Sequence, residues 1–306
     1  MTDVTRICED RVVIVTGAGR GIGRAHALEF ARQGASVVVN DVGAELDGSG
    51  GSDSPVQQVV DEIEAMGSGR AIVNGDDVGD WNGAQRLVGM AVEVFGRLDV
   101  VVNNAGVVRD RMFANATEDE WDAVLRVHLK GHFCVSRWAA THWRDRAKQS
   151  GQGVDARIVN TTSGAGLLGS VGQAAYSAAK GGIASLTLVQ AAELARYGIT
   201  ANAIAPAART RMTETVFAEM MTRPEGDDAF DAMAPENIAP LVVWLGSSES
   251  AHVSGRVFEV EGGQISIADG WQHGVAIDKG ARWDPAELTP VINDLLTKTP
   301  PPAPVY

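Results

Sequence analysis

Lysine and tyrosine are scarce in this 306-residue chain: five lysines and three tyrosines stand against 21 arginines. Cysteine is scarcer, with Cys8 and Cys134 alone and neither in a C-x-x-C pair or a Cys/His cluster. That excludes a disulfide framework and leaves no expected structural zinc or other metal site. Basic charge is also short: 26 Lys+Arg against 39 Asp+Glu leave a net charge of -13. Nucleic acid and an anionic membrane surface are therefore not expected partners. No apolar run approaches the roughly 18 residues of a membrane span. Met1 to Asp10 is polar, without the apolar stretch of a secretory leader. A cytoplasmic location is expected.

What the chain has in abundance is β-branched apolar runs and glycine. RVVIVT (11–16), ASVVVND (35–41), AIVNGD (71–76), LDVVVNNAG (98–106), ARIVNTTS (156–163), ITANAIAP (199–206) and RVFEVEGG (256–263) read as seven strands. Helical patterns separate them at 21–34, 55–67, 81–96, 118–148, 174–198 and 237–247, the fourth with a bend expected near Gly131. Near-continuous apolar strands alternating with helices predict one α/β domain with a parallel sheet covered on both faces. Residues 42–54 form a Gly/Ser/Asp-rich loop, and 207–235 read as an insertion after the sixth strand. Ligands of such sheets bind beyond the carboxyl ends of strands, so that insertion is the expected substrate lid. The tail, from about 264, carries PPPAP at 300–304 and reads as loosely packed.

The first strand runs straight into TGAGRGIG (16–23) and then a helix. Glycines there let a backbone turn sharply against a pyrophosphate, and the helix start offers free N–H groups and a positive dipole end. The spacing Gly17-x-x-x-Gly21-x-Gly23 differs from G-x-G-x-x-G. Asp41 ends the second strand, 18 residues past Gly23. A carboxylate there accepts hydrogen bonds from the adenosine ribose of NAD and repels the 2′-phosphate of NADP. The next residue is Val42, not an Arg; Arg20, inside the glycine turn where it could reach a phosphate, is a counter-indication. NAD is the expected cofactor.

Two of the scarce residues, Tyr176 and Lys180, stand four apart on one helix face. An ordinary phenol, with a pKa near ~10, is too weak an acid to serve as a base at neutral pH, and a neighbouring ammonium lowers it. Ser163, 13 residues upstream at the end of the fifth strand, places a hydroxyl where it can bond a substrate oxygen.

On TGAGRGIG (16–23), NNAG (103–106), Ser163 and YSAAK (176–180), the chain resembles the short-chain dehydrogenase/reductase family over about residues 10–263. The resemblance implies a three-layer Rossmann domain over residues 1–263, with seven parallel strands in the order 3-2-1-4-5-6-7 and 264–306 as an extension. It implies Tyr176 as general acid/base, Ser163 as the group that orients the substrate oxygen, and Lys180 as the residue that lowers the Tyr176 pKa and bonds the nicotinamide ribose. Cofactor contacts are implied for Gly17, Arg20, Gly21, Ile22, Gly23, Asp41, Asp77, Val78, Asn104, Ala105, Gly106, Tyr176, Lys180, Pro206 and Thr210. Association into a homodimer or homotetramer through helices 118–148 and 174–198 is implied too. Two positions depart from the pattern. VHLKG puts His128 where the family usually has the Asn of a water-mediated proton relay, leaving a relay histidine and a buried non-catalytic one as open readings. After the sixth strand, Pro206-Ala207 replaces Pro-Gly, with Thr210 the nearest carboxamide partner.

VVVNDVG (37–43), NNAGVVRDRMF (103–113), RVHLKG (126–131) and APAARTRMTETV (205–216) resemble more narrowly the dehydrogenase part of the peroxisomal multifunctional enzyme type 2 group. That resemblance implies NAD-dependent oxidation of a (3R)-hydroxyacyl-CoA or a 17β-hydroxysteroid. Arg209, Arg211 and Arg223 are available for CoA phosphates or as solvated loop cations, and Met212, Val216, Phe217, Met220 and Met221 could cover an acyl chain or steroid. An NADPH-dependent ketoacyl reductase and a non-catalytic NAD-binding regulator are the competing readings.

Overall fold

Every residue of β1 (Val12–Thr16) and β4 (Val100–Asn103) is buried, as parallel strands covered on both faces must be. The computed structural model describes residues 6–43, 54–211, 221–224, 226 and 229–305. With β2 (Ser36–Asn40), β3 (Arg70–Asn74), β5 (Ala156–Thr161), β6 (Ile199–Ala207), β7 (Val257–Glu261) and β8 (Gln264–Ile267), these strands form one sheet in the order 3-2-1-4-5-6-7-8. Odd and even positions of β1 serve opposite faces. Val13 and Val15 pack with α1 (Gly21–Arg32), α2 (Ser54–Met66) and α8 (Ala239–Gly246). Val12 and Ile14 pack with α3 (Trp81–Phe95), α5 (Gly131–Ser150) and α7 (Ala174–Leu194).

The first seven strands are parallel in the expected order. The eighth corrects the seven-stranded, purely parallel expectation: β8 runs antiparallel to β7, with Phe258 opposite Ile267 and Glu261 opposite Gln264. Gly262, at φ +53°, makes the tight turn into it. Its four residues, QISI, are all exposed, so no core pattern distinguishes them from a tail. A second correction concerns the helix expected over 118–148. It divides into α4 (Glu118–Leu125), a π-helical turn (Arg126–Lys130) and α5. Two short helices, α6 (Gly164–Leu168) and α9 (Leu288–Thr297), have no counterpart in the sequence reading. Residues 44–53 and 212–220 lie outside the described residues, and with them Met212, Val216, Phe217 and Met220 of the expected lid. No helix among the described residues is long and apolar enough to cross a membrane.

Charge pins the amino-terminal edge of the sheet. Arg157 on β5 is buried and donates to the Ser247 carbonyl at 3.0 Å, while Asp155 receives both Arg157 and Arg11, the latter at 2.7 Å. The carboxyl edge is left for chemistry.

His26 on α1 is 0% exposed and neither ring nitrogen has a partner. Burial pushes its pKa from 6.5 down to about 3. The fold therefore holds it neutral, while the unfolded chain binds a proton below about 6.5. The penalty for keeping it unprotonated is absent above that pH and grows as the pH drops toward 3. A buried unpaired polar group costs about 1–3 kcal/mol. Replacing His26 by Leu is expected to raise Tm by several degrees and to flatten the loss of Tm between pH 7 and pH 4. Differential scanning calorimetry across that range reads both effects, and an unchanged acid limb would contradict this account of His26.

Candidate active site

At the carboxyl end of β1 the Thr16 hydroxyl accepts the backbone N–H groups of Asn104 (2.9 Å) and Ala105 (3.1 Å). The Asn104 amide donates back to the carbonyls of Thr16 (3.1 Å) and Gly17 (3.2 Å). The glycine turn and the NNAG segment are thus bolted into one floor. Space there is filled to the backbone: a Cβ on Gly23 would stand 2.1 Å from the Gly17 oxygen, and Gly17 itself has φ +63°. No side chain caps the start of α1, and its first turn carries no acid. Its leading N–H groups and dipole are open to an anion. Arg20 sits at that N-cap position and Ile22 packs against the core.

Asp41 lies across this turn, accepting the N–H of Gly19 at 3.1 Å and of Gly43 at 2.7 Å. Asp77 accepts the Gly79 N–H at 2.8 Å and Arg126 at 2.6 Å, so the π turn fixes its carboxylate. Val78 beside it is buried against Gly131. Pro206 and Ala207 end β6 opposite Val260 and Glu261. Thr210 reaches the glycine turn, its methyl 3.5 Å from where a Gly21 Cβ would be. Gly106 closes the floor against His128, whose Cε1 lies 2.3 Å from the position of a Cβ on it.

Ser163 follows β5 and caps α6, its Oγ accepting the Ala165 N–H at 3.3 Å. Gly166 on α6 lets that helix press on α7, since a Cβ there would be 2.6 Å from Lys180 Cβ. This approach brings Ser163 toward the Tyr176 phenol, whose ionised form its hydroxyl favours. Lys180 is 3% exposed, and its ammonium donates to the Thr161 carbonyl at 2.7 Å. Its Nζ stands 5.5 Å from the centre of the Tyr176 ring. The three expected residues are therefore together. Burial pulls Lys180 from 10.5 down to about 7.

The phenol behaves otherwise than the sequence leads one to expect. Burial pushes the Tyr176 pKa above its ordinary value, the Asp110 charge pushes the same way, and only the Ser163 hydrogen bond opposes them. Lys180 spends its ammonium on Thr161 and is itself poorly protonated above neutrality, so it does not reverse the balance.

His128 sits in the π turn, 1% exposed, with Nε2 2.8 Å from the Val107 oxygen and 3.1 Å from the Val107 nitrogen. Its ring meets Tyr176 edge-on, centroids 5.3 Å apart. Burial first, then the Lys180 charge, drives its pKa to about 3, so the ring is neutral. Nδ1 is buried without a protein partner, which is the position a relay water would need.

Three contributors were not singled out by the sequence reading. His132 accepts the Thr161 N–H at 3.4 Å and bonds the backbones of His128 and Asn103. Its i, i+4 spacing from His128 was the available signal. Asp110 and Gln173 bond each other at 2.9 Å beside the start of α7, and no motif marks that contact. Arg209 corrects the picture of a cation offered to CoA: it is buried and paired with Asp231, one contact at 3.0 Å. Arg211 and Arg223 are exposed. Among the described residues no His/Cys/Asp/Glu group is arranged to hold a metal ion.

The family described as short chain dehydrogenase matches residues 11–221. The chain belongs to the short-chain dehydrogenase/reductase family. It is 46% identical over 290 residues to the hydroxyacyl-CoA dehydrogenase ChsB1 of Mycobacterium tuberculosis, covering 93% of this chain and 88% of that protein. It is 46% identical over 257 residues to peroxisomal multifunctional enzyme type 2 of Mus musculus, covering 84% of this chain but only 32% of that longer protein. A crystal structure of a short chain dehydrogenase from Mycobacterium avium is 61% identical and superposes with a TM-score of 0.86, covering 98% of this chain and 99% of that one. Membership makes the chain an oxidoreductase that transfers hydride with a nicotinamide dinucleotide.

Because a Cβ on Gly23 would collide with fixed backbone, Gly23→Ala is expected to weaken dinucleotide binding by about 100-fold or more, as loss of a steric cradle costs several kcal/mol. Isothermal titration with NAD and NADP on variant and parent checks this. Near-parental affinity would place the dinucleotide elsewhere.

Proposed function

We propose that the protein oxidises the secondary alcohol of a (3R)-hydroxyacyl-CoA with NAD, giving the ketone and NADH. The observation that carries the chemistry is the Ser163–Tyr176–Lys180 grouping set beside a glycine cradle with Asp41 across it. The substrate class is supported by the resemblance to the M. tuberculosis hydroxyacyl-CoA dehydrogenase and the murine multifunctional enzyme. A 17β-hydroxysteroid is the second substrate reading; the narrower sequence resemblance supports it equally.

The residues present fit the dinucleotide. Glycines 17, 21 and 23 and the uncapped start of α1 would receive the pyrophosphate. Asp41 would take the adenosine ribose and disfavour a 2′-phosphate, with Arg20 the one cation in the turn. Asp77 and Val78 would hold the adenine, Asn104, Ala105 and Gly106 would form the floor, and Pro206 and Thr210 would hold the nicotinamide. Bound there, NAD supplies a hydride acceptor.

The chain's own residues manage the proton. Ser163 holds the substrate hydroxyl against Tyr176, and Tyr176 takes its proton as the carbon–hydrogen bond breaks. Lys180 fixes the geometry by binding Thr161 and presents its Nζ beside the ring. His128 holds a relay water at Nδ1 while Val107 fixes its ring through Nε2, and it is that water that carries the proton onward. In the reverse direction Tyr176 is the acid, which its raised pKa suits at neutral pH. We take the catalytic unit to run beyond the expected boundary at 263 to the end of β8 at Ile267, with its lid at about 207–235 and the rest as an extension, and the enzyme to act as a cytoplasmic homodimer or homotetramer.

A screen with NAD and NADP against (3R)-hydroxyacyl-CoA esters and 17β-hydroxysteroids tests the reading. NADH formation from the CoA esters is expected, with strong preference for NAD and a loss on the order of 10³-fold for Tyr176→Phe. Turnover with NADP equal to that with NAD would overturn the cofactor assignment. Binding of NAD with no turnover, and Tyr176→Phe indistinguishable from the parent, would favour a regulator. His128→Asn is expected to retain most activity and His128→Ala to lose it; an Ala variant as active as the parent would remove His128 from the relay. Because the Tyr176 pKa is raised, oxidation is expected to quicken as pH rises through the alkaline range and ketone reduction to slow, read from NADH absorbance.

A further inference from the structure

The loop leaving β4 does more than carry the NNAG floor: it reaches over to the start of the catalytic helix. The Arg111 N–H donates to the Gly172 carbonyl at 2.8 Å, and Arg111 pairs with Gln173 in a parallel bridge. Gln173 occupies the N-cap position of α7 without capping it by its side chain. That side chain instead donates from Nε2 to Asp110 Oδ2 at 2.9 Å, while the Gln173 carbonyl accepts the Ser177 N–H at 2.8 Å. Asp110 Oδ1 is buried and has no partner. Tyr176 is the third residue of α7, so what fixes Gln173 fixes the first turn that carries the phenol.

We infer that Asp110 is a positioning residue for Tyr176, anchoring the first turn of α7 through Gln173 and placing a carboxylate at the end of the helix that carries the phenol. The inference rests on Tyr176 as the acid–base group. One Asp110 oxygen is committed to Gln173 and the other is enclosed without a partner, both at the positive end of the α7 dipole. Charge of the same sign as a phenolate disfavours ionisation of the phenol, in line with the direction found at Tyr176. The other groups that face the phenol do not cancel it. Ser163 comes from the β5–α6 turn as a hydroxyl, His128 comes from the π turn as a neutral ring, and Lys180 on α7 is held by Thr161. In the loop itself Arg109 and Arg111 flank Asp110, and Arg111 is taken by Glu120 at 2.7 Å.

The scarcity of tyrosine makes the test clean, since Tyr197 and Tyr306 are the only others. Phenolate absorbance is followed against pH in the whole protein, with Tyr176→Phe subtracted and far-UV circular dichroism confirming the fold. Asp110→Asn keeps an acceptor for Gln173 and removes the charge. It is expected to lower the Tyr176 midpoint by on the order of one pH unit, and Asp110→Glu to restore it toward the parent. Asp110→Ser is the second charge-removing variant should Asp110→Asn not fold, with the same direction expected. Titrations of the charge-removing variant and parent that superimpose, or equal shifts in the Asn and Glu variants, would overturn the inference. The readout needs no substrate. An alcohol screen without NADH formation would count against the proposed function alone, whatever the titration shows.

Discussion

A buried amine must be hydrogen-bonded, and Lys180 meets that demand with a backbone oxygen, that of Thr161. The catalytic end of the molecule is arranged around that bond. Thr161 is the last residue of β5, so Lys180 ties α7 to the sheet edge where Ser163 emerges. The amide side of the same residue is held by His132, which also grips the backbones of His128 and Asn103. The Thr162 hydroxyl closes the loop by donating to the Lys180 carbonyl at 2.7 Å. Tyr176 is thereby placed by three neighbours that cannot move independently.

The two edges of the sheet divide the work. At the amino edge Arg11, Arg157 and Asp155 lock strands together with charge. At the carboxyl edge the strands end in glycine turns and short polar side chains, and backbone groups are left to face a ligand. The π turn belongs to this second edge. Its extra residue per turn carries His128 over Gly106 toward Tyr176 and lets Arg126 hold Asp77. Turns of this kind recur at functional sites because they re-aim side chains within an otherwise regular helix.

Much of this was legible in the sequence because its causes are local. Runs of valine and isoleucine between helical patterns mark the strands, whose order in the sheet came from the family resemblance, and the glycines of 16–23 can be read as a cradle because they sit between a strand and a helix. Tyr176, Lys180 and Ser163 could be assembled because two lie on one helix face and the third ends a strand. β8 was missed because four exposed residues after Gly262-Gly263 carry no burial pattern. The π turn was missed because the helical pattern of 118–148 continues through it, with only Gly131 hinting at a break. Asp110 and Gln173 meet across 63 residues of chain, a contact no local pattern encodes. The sign of the Tyr176 shift was missed for a different reason: spacing reveals the ammonium nearby, while burial and Asp110 emerge only from packing.

The central claim is that this edge moves a hydride from an alcohol carbon to the dinucleotide while Tyr176 moves the proton. A (3R)-hydroxyacyl-CoA bearing deuterium on the carbinol carbon separates the two. Mass spectrometry of the reduced dinucleotide is predicted to find the deuterium there in full, with none released to water. Deuterium in the solvent, or its absence from the dinucleotide when ketone has formed, would contradict the account.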